Sequence, residues 1–236
     1  MRPLSVLLLL FALPAQALTL LTEDFPPLSY SPDGGETVVG ISVDLLREAL
    51  ARTETPATIA LMPWRNAYKR ALDDANTCVF SASRTPEREP LFKWIGPLSD
   101  GKWVLFARAD SRIPPVHTLE ELKPYVIGGY QGDARTLYLK TKGLTVDEAH
   151  TEQQSLKKLA AGRVDLWSAT SVSGPWNARQ LGIKIRQVFV FRENQDSYAA
   201  CNRATPDETV KRLNAALRKM HADGTRQQIM EAYYGQ

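Results

Sequence analysis

The chain has 236 residues, with 29 Lys and Arg against 26 Asp and Glu, a formal charge of +3. That balance, with no dense basic run, excludes a nucleic-acid-binding protein. The length can bury a large core as one domain or two smaller lobes, and two cysteines are too few for a disulfide scaffold.

Residues 1–17 read as a secretory signal peptide. Arg2 precedes an apolar run, Leu4 to Leu13, broken only by Ser5, and Pro14-Ala15-Gln16-Ala17 ends on a small-residue cleavage pattern. The run is too short to span a bilayer. No Cys follows it, so no lipid attachment is expected, and no later stretch is apolar enough to cross a membrane. A soluble, exported chain is expected. Export implies an oxidising compartment, where Cys78 and Cys201 are free to pair.

From Leu18 the chain opens with a strand, Leu18 to Thr22, and breaks at Pro26-Pro27. Asp33-Gly34-Gly35 marks a turn. Apolar residues at helical spacing predict a helix over 40–51. Strands at Thr58–Leu61 and Cys78–Phe80 flank a helix over Trp64–Asp74. This β-α-β-α-β order predicts parallel strands joined by crossover helices. Lys102–Arg108 is a bare strand. A second alternating unit then begins with a capping box at Thr118 and Glu121. It continues with a strand at Tyr125–Gly128, helices around Ala134–Lys142 and Ser155–Ala161, and strands at Val164–Ser168 and Val188–Phe191. Tyr198–Asn202 is a strand leading to Thr205-Pro206-Asp207-Glu208, a second capping box. The helix it starts carries Val210, Leu213, Leu217 and Met220 on one face and stops at Gly224. A last helix covers Thr225–Tyr234. In open α/β sheets ligands bind where loops gather at the carboxyl ends of strands, so two such units facing each other would enclose a cleft.

The segment best suited to binding chemistry is Ser81-Ala82-Ser83-Arg84-Thr85-Pro86-Glu87-Arg88. It follows a strand directly. Thr85 as N-cap and Pro86 at the first position predict a helix. Its free N–H groups, Arg88 in the first turn and the hydroxyls of Ser81 and Ser83 would form an anion-binding corner; a capped surface helix with a solvated Arg fits the same spacing. Trp64 opens the second helix, where it either packs or faces the cleft. Glu23 and Asp24 lie at the cleft mouth, as an acid/base pair or as solvated loop residues. Trp167 fits the cleft or the core. The three histidines are dispersed and match no metal spacing. No nucleophilic triad is legible, so neither cofactor nor metal is expected.

In order and spacing the sequence resembles the family 3 extracellular solute-binding proteins, the periplasmic amino-acid-binding group of ABC importers. The resemblance rests on Phe25-Pro26-Pro27-Leu28-Ser29-Tyr30, Gly40-Ile41-Ser42-Val43-Asp44-Leu45, Trp64, Ser83-Arg84-Thr85-Pro86-Glu87-Arg88, Gly162-Arg163-Val164-Asp165 and Asp223-Gly224-Thr225. It covers nearly all of the chain after the signal segment. It implies an α/β, two-lobed, type II periplasmic binding fold, each lobe a mixed sheet flanked by helices, joined by two crossovers. The lobes are expected at 18–106 with 198–236, and at 113–192, with hinges at 107–112 and 193–197. It implies that Arg88 binds a ligand carboxylate, that Ser81 and Ser83 line the same pocket, and that an aromatic between Phe25 and Tyr30 stacks on the ligand. It also brings the strands of Cys78 and Cys201 together, implying a disulfide.

Two features depart from the family pattern. Where the family offers Gly-Thr or Gly-Ser at a helix start of the second lobe, this chain has Gly132-Asp133. Asp133 is either a helix cap or a partner for a ligand amine. The family's amine-binding carboxylate is also missing from Trp167-Ser168-Ala169-Thr170-Ser171, where Thr170 is the candidate lining residue. The resemblance implies a non-enzymatic, monomeric, periplasmic protein that hands a small polar solute to a membrane permease. An extracytoplasmic sensor module, or a cleft enzyme of the cyclohexadienyl dehydratase type, would use the same architecture.

Overall fold

The structure is a computed structural model that describes residues 17–234. The expected signal segment, Ala17 apart, lies outside the described residues.

Two five-stranded mixed sheets make the frame. In the first, β1 (Leu18–Thr22), β2 (Ala57–Leu61) and β3 (Thr77–Ser83) run parallel. They do so because α1 (Ile41–Arg52) and α2 (Trp64–Asp73) return the chain between them. β4 (Lys93–Ser99) and β10 (Ser197–Cys201) complete the order β2-β1-β3-β10-β4, with β10 antiparallel to both neighbours. The second sheet has the order β7-β6-β8-β5-β9. Its strands are β5 (Trp103–Arg108), β6 (Ile127–Tyr130), β7 (Val146–Ala149), β8 (Leu166–Thr170) and β9 (Ile185–Arg192). Helices α3 (Ala134–Thr141), α4 (Glu152–Ala160) and α5 (Ser173–Gln180) flank it, and α6 (Asp207–Ala222) and α7 (Thr225–Tyr234) pack back on the first lobe.

α1 is buried on two sides, by Ile41, Leu45 and Ala49 and by Val43, Leu46 and Leu50. It lies between the first sheet and the last two helices, where Leu213, Leu217, Met220 and Met230 meet it. Its start needs Gly40. The φ there is +133°, and a Cβ would lie 2.4 Å from the Leu28 carbonyl oxygen.

β5 departs from the expected division. It pairs antiparallel with β8 and β9, so residues 103–106 belong to the second lobe and 107–112 do not cross between lobes. The chain crosses at 100–102 and again at 193–196. Apolar content alone could not choose a sheet for a strand buried on both faces. The two crossings lie side by side, with Gln195 N donating to the Gly101 carbonyl at 2.7 Å. β4, β7 and α5 were not legible: β4 carries Gly96-Pro97, β7 is half acidic, and α5 starts in Ser173-Gly174-Pro175. The helix expected from Pro86 is a turn followed by a short 3-10 segment, Glu89–Leu91, because Pro90 interrupts it. α6 starts at Asp207 with no side-chain cap, and Thr205 is buried. Thr118 and Glu121 do bond to each other, at 3.0 Å, but around one 3-10 turn.

Cys78 on β3 faces Cys201 on β10 across the ladder. The two are joined in a disulfide with a Cα–Cα separation of 3.9 Å.

Candidate functional site

The carboxyl end of β3 bends sharply. Ser81 has a φ of +58°, in the left-handed region that side-chain-bearing residues seldom occupy. Beside it the register to β10 shifts, so two residues of β3 stand against one of β10. Such bulges re-aim side chains next to sites. Ser81 Oγ lies 3.2 Å from Ser29 Oγ, which is 2.8 Å from Thr22 Oγ1. This hydroxyl chain ties the bend to β1 and to the loop after it.

Arg88 follows in the turn. Its guanidinium lies 5.4 Å from the Trp64 ring and 5.1 Å from the Tyr68 ring. Its long hydrogen bonds go to the carbonyls of Ser83 (3.4 Å) and of Gly132 in the second lobe (3.5 Å). No carboxylate forms an ion pair with Arg88 among the described residues, so the cation keeps capacity for an anion.

The second lobe faces it with the start of α3. Asp133 Oδ1 accepts from Arg135 N (3.0 Å) and Thr136 N (3.3 Å), so Asp133 caps the helix. The same oxygen accepts from Arg135 Nε at 2.8 Å. The Asp133 side chain is 13% exposed, and Oδ2 accepts no hydrogen bond among the described residues. Arg135 is buried and donates through Nη1 to Glu152 Oε1 at 2.8 Å. Ser173 and Asn177 also bond Glu152, at 3.1 and 3.0 Å. Arg135 Nη2 is buried with no hydrogen-bond partner among the described residues, and the guanidinium lies 5.6 Å from the Phe25 ring of the first lobe.

These groups enclose one cavity between the lobes. Of the residues expected in the site, Arg88, Ser81, Ser83, Phe25, Trp64, Asp133 and Thr170 line it. Tyr30 does not. Its backbone pairs with Val39, and its ring meets Trp176 of the second lobe at 6.3 Å. Trp167 is fully buried in the second lobe's core. The cavity volume is about 30 Å³.

Several lining residues were not singled out by sequence, Tyr130, Arg135 and Gln195 among them. Their positions depend on how the lobes meet. Asp24 is exposed, but Glu23 is not a solvated loop residue: it lines the cavity and accepts from the Tyr130 hydroxyl at 2.8 Å. Burial pushes the Glu23 carboxyl up to about 8, with Asp133 and Glu152 adding to the rise, while the Tyr130 hydrogen bond and Arg135 oppose it. No group of His, Cys, Asp and Glu among the described residues is placed to hold a metal ion.

Two α/β lobes with a polar cavity between them define a two-lobed binding protein of the type II periplasmic fold. Residues 18–236 match the bacterial extracellular solute-binding proteins, family 3, and the chain belongs to that family. Solved structures share the fold at low identity. An ancestral arginine-binding protein bound to arginine is 20% identical, with a TM-score of 0.80 over 92% of this chain and 98% of its own. A histidine kinase sensor domain similar to periplasmic binding proteins is 20% identical, with a TM-score of 0.83 over 93% and 95%. The GluR0 ligand-binding core from Nostoc punctiforme in complex with glutamate is 19% identical, with a TM-score of 0.79 over 92% and 99%. Comparison with curated protein sequences gives no match.

Proposed function

We propose that the chain captures a small amino-acid-like zwitterion between its lobes, in the periplasm, as a monomer that delivers it to an ABC importer without chemistry. The observation that carries this reading is the pairing of opposite charges across the cavity. Among the described residues, Arg88 of the first lobe forms no ion pair and Asp133 Oδ2 of the second accepts no hydrogen bond. A carboxylate on Arg88 and an amine on Asp133 are both satisfied only when the lobes close, so the ligand favours closure. A simple dicarboxylate would meet repulsion at Asp133. Arg88→Ala should abolish binding in a calorimetric titration while the fold survives; unchanged affinity sinks the reading. Asp133→Asn should weaken amine-bearing ligands and improve simple acids. If both classes are unmoved, Asp133 is a cap alone.

A second reading, an extracytoplasmic sensor module, is favoured by the similarity to a histidine kinase sensor domain. Solute uptake separates the two. A strain lacking the chain loses uptake of the bound solute only if it serves an importer.

A further inference from the structure

Beside the central cavity, and sharing Trp64 and Arg88 with it, a second hollow of about 500 Å³ opens between the lobes. That volume falls within the roughly 300–1,000 Å³ of small-molecule sites. Its walls are built the same way on both sides. Arg88 lies over Trp64 and Tyr68 of the first lobe. Arg192 lies over Trp103 and Tyr138 of the second, at 5.4 and 4.9 Å. Rings hold a guanidinium by its face and leave its edge N–H groups for a planar acid. The Arg192 side chain forms no ion pair among the described residues. Its acidic neighbour is Glu87 on the hollow's rim, whose carboxylate is held below the usual range mainly by the Thr85 hydroxyl and only weakly by Arg192 and Arg88. With Arg65 the hollow carries three cations against that one carboxylate. Leu137 and Leu91 also line it, 50% and 41% exposed. They are two of the three large apolar side chains that stand exposed among the described residues. Apolar exposure gathered in one place, rather than scattered, marks a contact surface.

We propose that this hollow is a second binding subsite, for an aromatic carboxylate whose ring lies against Trp64, Tyr68 and Tyr138 and whose acid group pairs with Arg192. It extends the solute-binding reading but does not depend on the central cavity taking an amino acid. Because one ring pair belongs to each lobe, an occupant touches both platforms only when the lobes are closed.

The test is a titration of the full chain with 3-phenylpropanoate, read by calorimetry and by the fluorescence of the lining tryptophans, with 3-phenylpropanamide as the uncharged match. The acid should bind at least about tenfold more tightly than the amide, the scale of a charge-assisted pair. Arg192→Gln should remove most of that preference. Leu137→Glu, on an exposed side chain where folding is not at stake, should weaken the acid by repulsion. Neither variant should change the response to amino acids at the central cavity. No binding of the acid, equal binding of acid and amide, or an unchanged affinity in Arg192→Gln would overturn the subsite. If amino acids still bind in that case, only the subsite falls. If the acid binds as expected and no amino acid does, only the central reading falls.

Discussion

The Tyr130 hydroxyl of the second lobe donates to Glu23 Oε1 of the first at 2.8 Å. Neither residue is next to Arg88 in sequence, yet both line the cavity with it. The bond joins the lobes at a point where one partner can gain or lose a proton near neutral pH.

Glu23 therefore makes stability depend on pH. Its carboxyl is raised by burial from 4.5 to about 8, so the folded, closed chain keeps a proton that an exposed Glu releases. Stability is highest below about pH 4.5 as far as this group is concerned, falls as the pH rises toward 8, and is flat beyond. Glu23→Gln should remove that slope and melt higher than the parent at pH 8.5, each kcal/mol being about 2–4 °C for a chain of this size. Melting temperatures measured from pH 5 to 9 decide it; parallel curves for the two proteins refute it.

Arg135 forms ion pairs with two acids, the buried Glu152 and the partly buried Asp133. Arg135→Met leaves Asp133 and Glu152 without their cation, and such a loss costs about 3–5 kcal/mol. Urea unfolding should show a loss of unfolding free energy of that size, with Glu152→Gln falling well short of it. A loss below 1 kcal/mol would mean that water or a rearranged side chain replaces the pair.

Gly101 lets the two crossings touch. A Cβ there would lie 2.6 Å from the Gln195 carbonyl oxygen, a backbone atom that cannot swing away. Gly101→Ala should cost about 1–3 kcal/mol by overpacking, and it should weaken ligand binding because the crossings set the approach of the lobes. Equal affinity and equal melting temperature in the variant would show that the crossings yield freely.

The disulfide closes a loop over a sequence separation of 123. Replacing both cysteines with alanine should lower unfolding free energy by about 4–5 kcal/mol, the chain-entropy effect for a loop of this length. The measurement is denaturant unfolding of oxidised parent against the double variant. Coincident transitions would show that β3 and β10 are held by the ladder alone.

Local order in this chain was written into the sequence. The spacing of Ile41, Leu45 and Ala49 marks α1, and the position of Arg88 after β3 marks one wall of the site, because helix periodicity and strand-end loops are short-range properties. The edges were less legible. β4 hides behind Gly96-Pro97, and the helix expected at Pro86 shrinks to a turn because Pro90 cuts it short. Tertiary structure decided the rest. It assigned β5 to the second sheet, a choice that depends on which strands find each other. It placed Tyr30 against Trp176 instead of in the cavity, and it brought Glu23 to Tyr130 and Arg135 to Phe25. It also set two arginine-bearing ring pairs across one hollow. Those relationships join residues far apart in the sequence, and a burial-raised carboxyl like that of Glu23 exists only once the lobes meet, because desolvation belongs to the packed state and not to the residue.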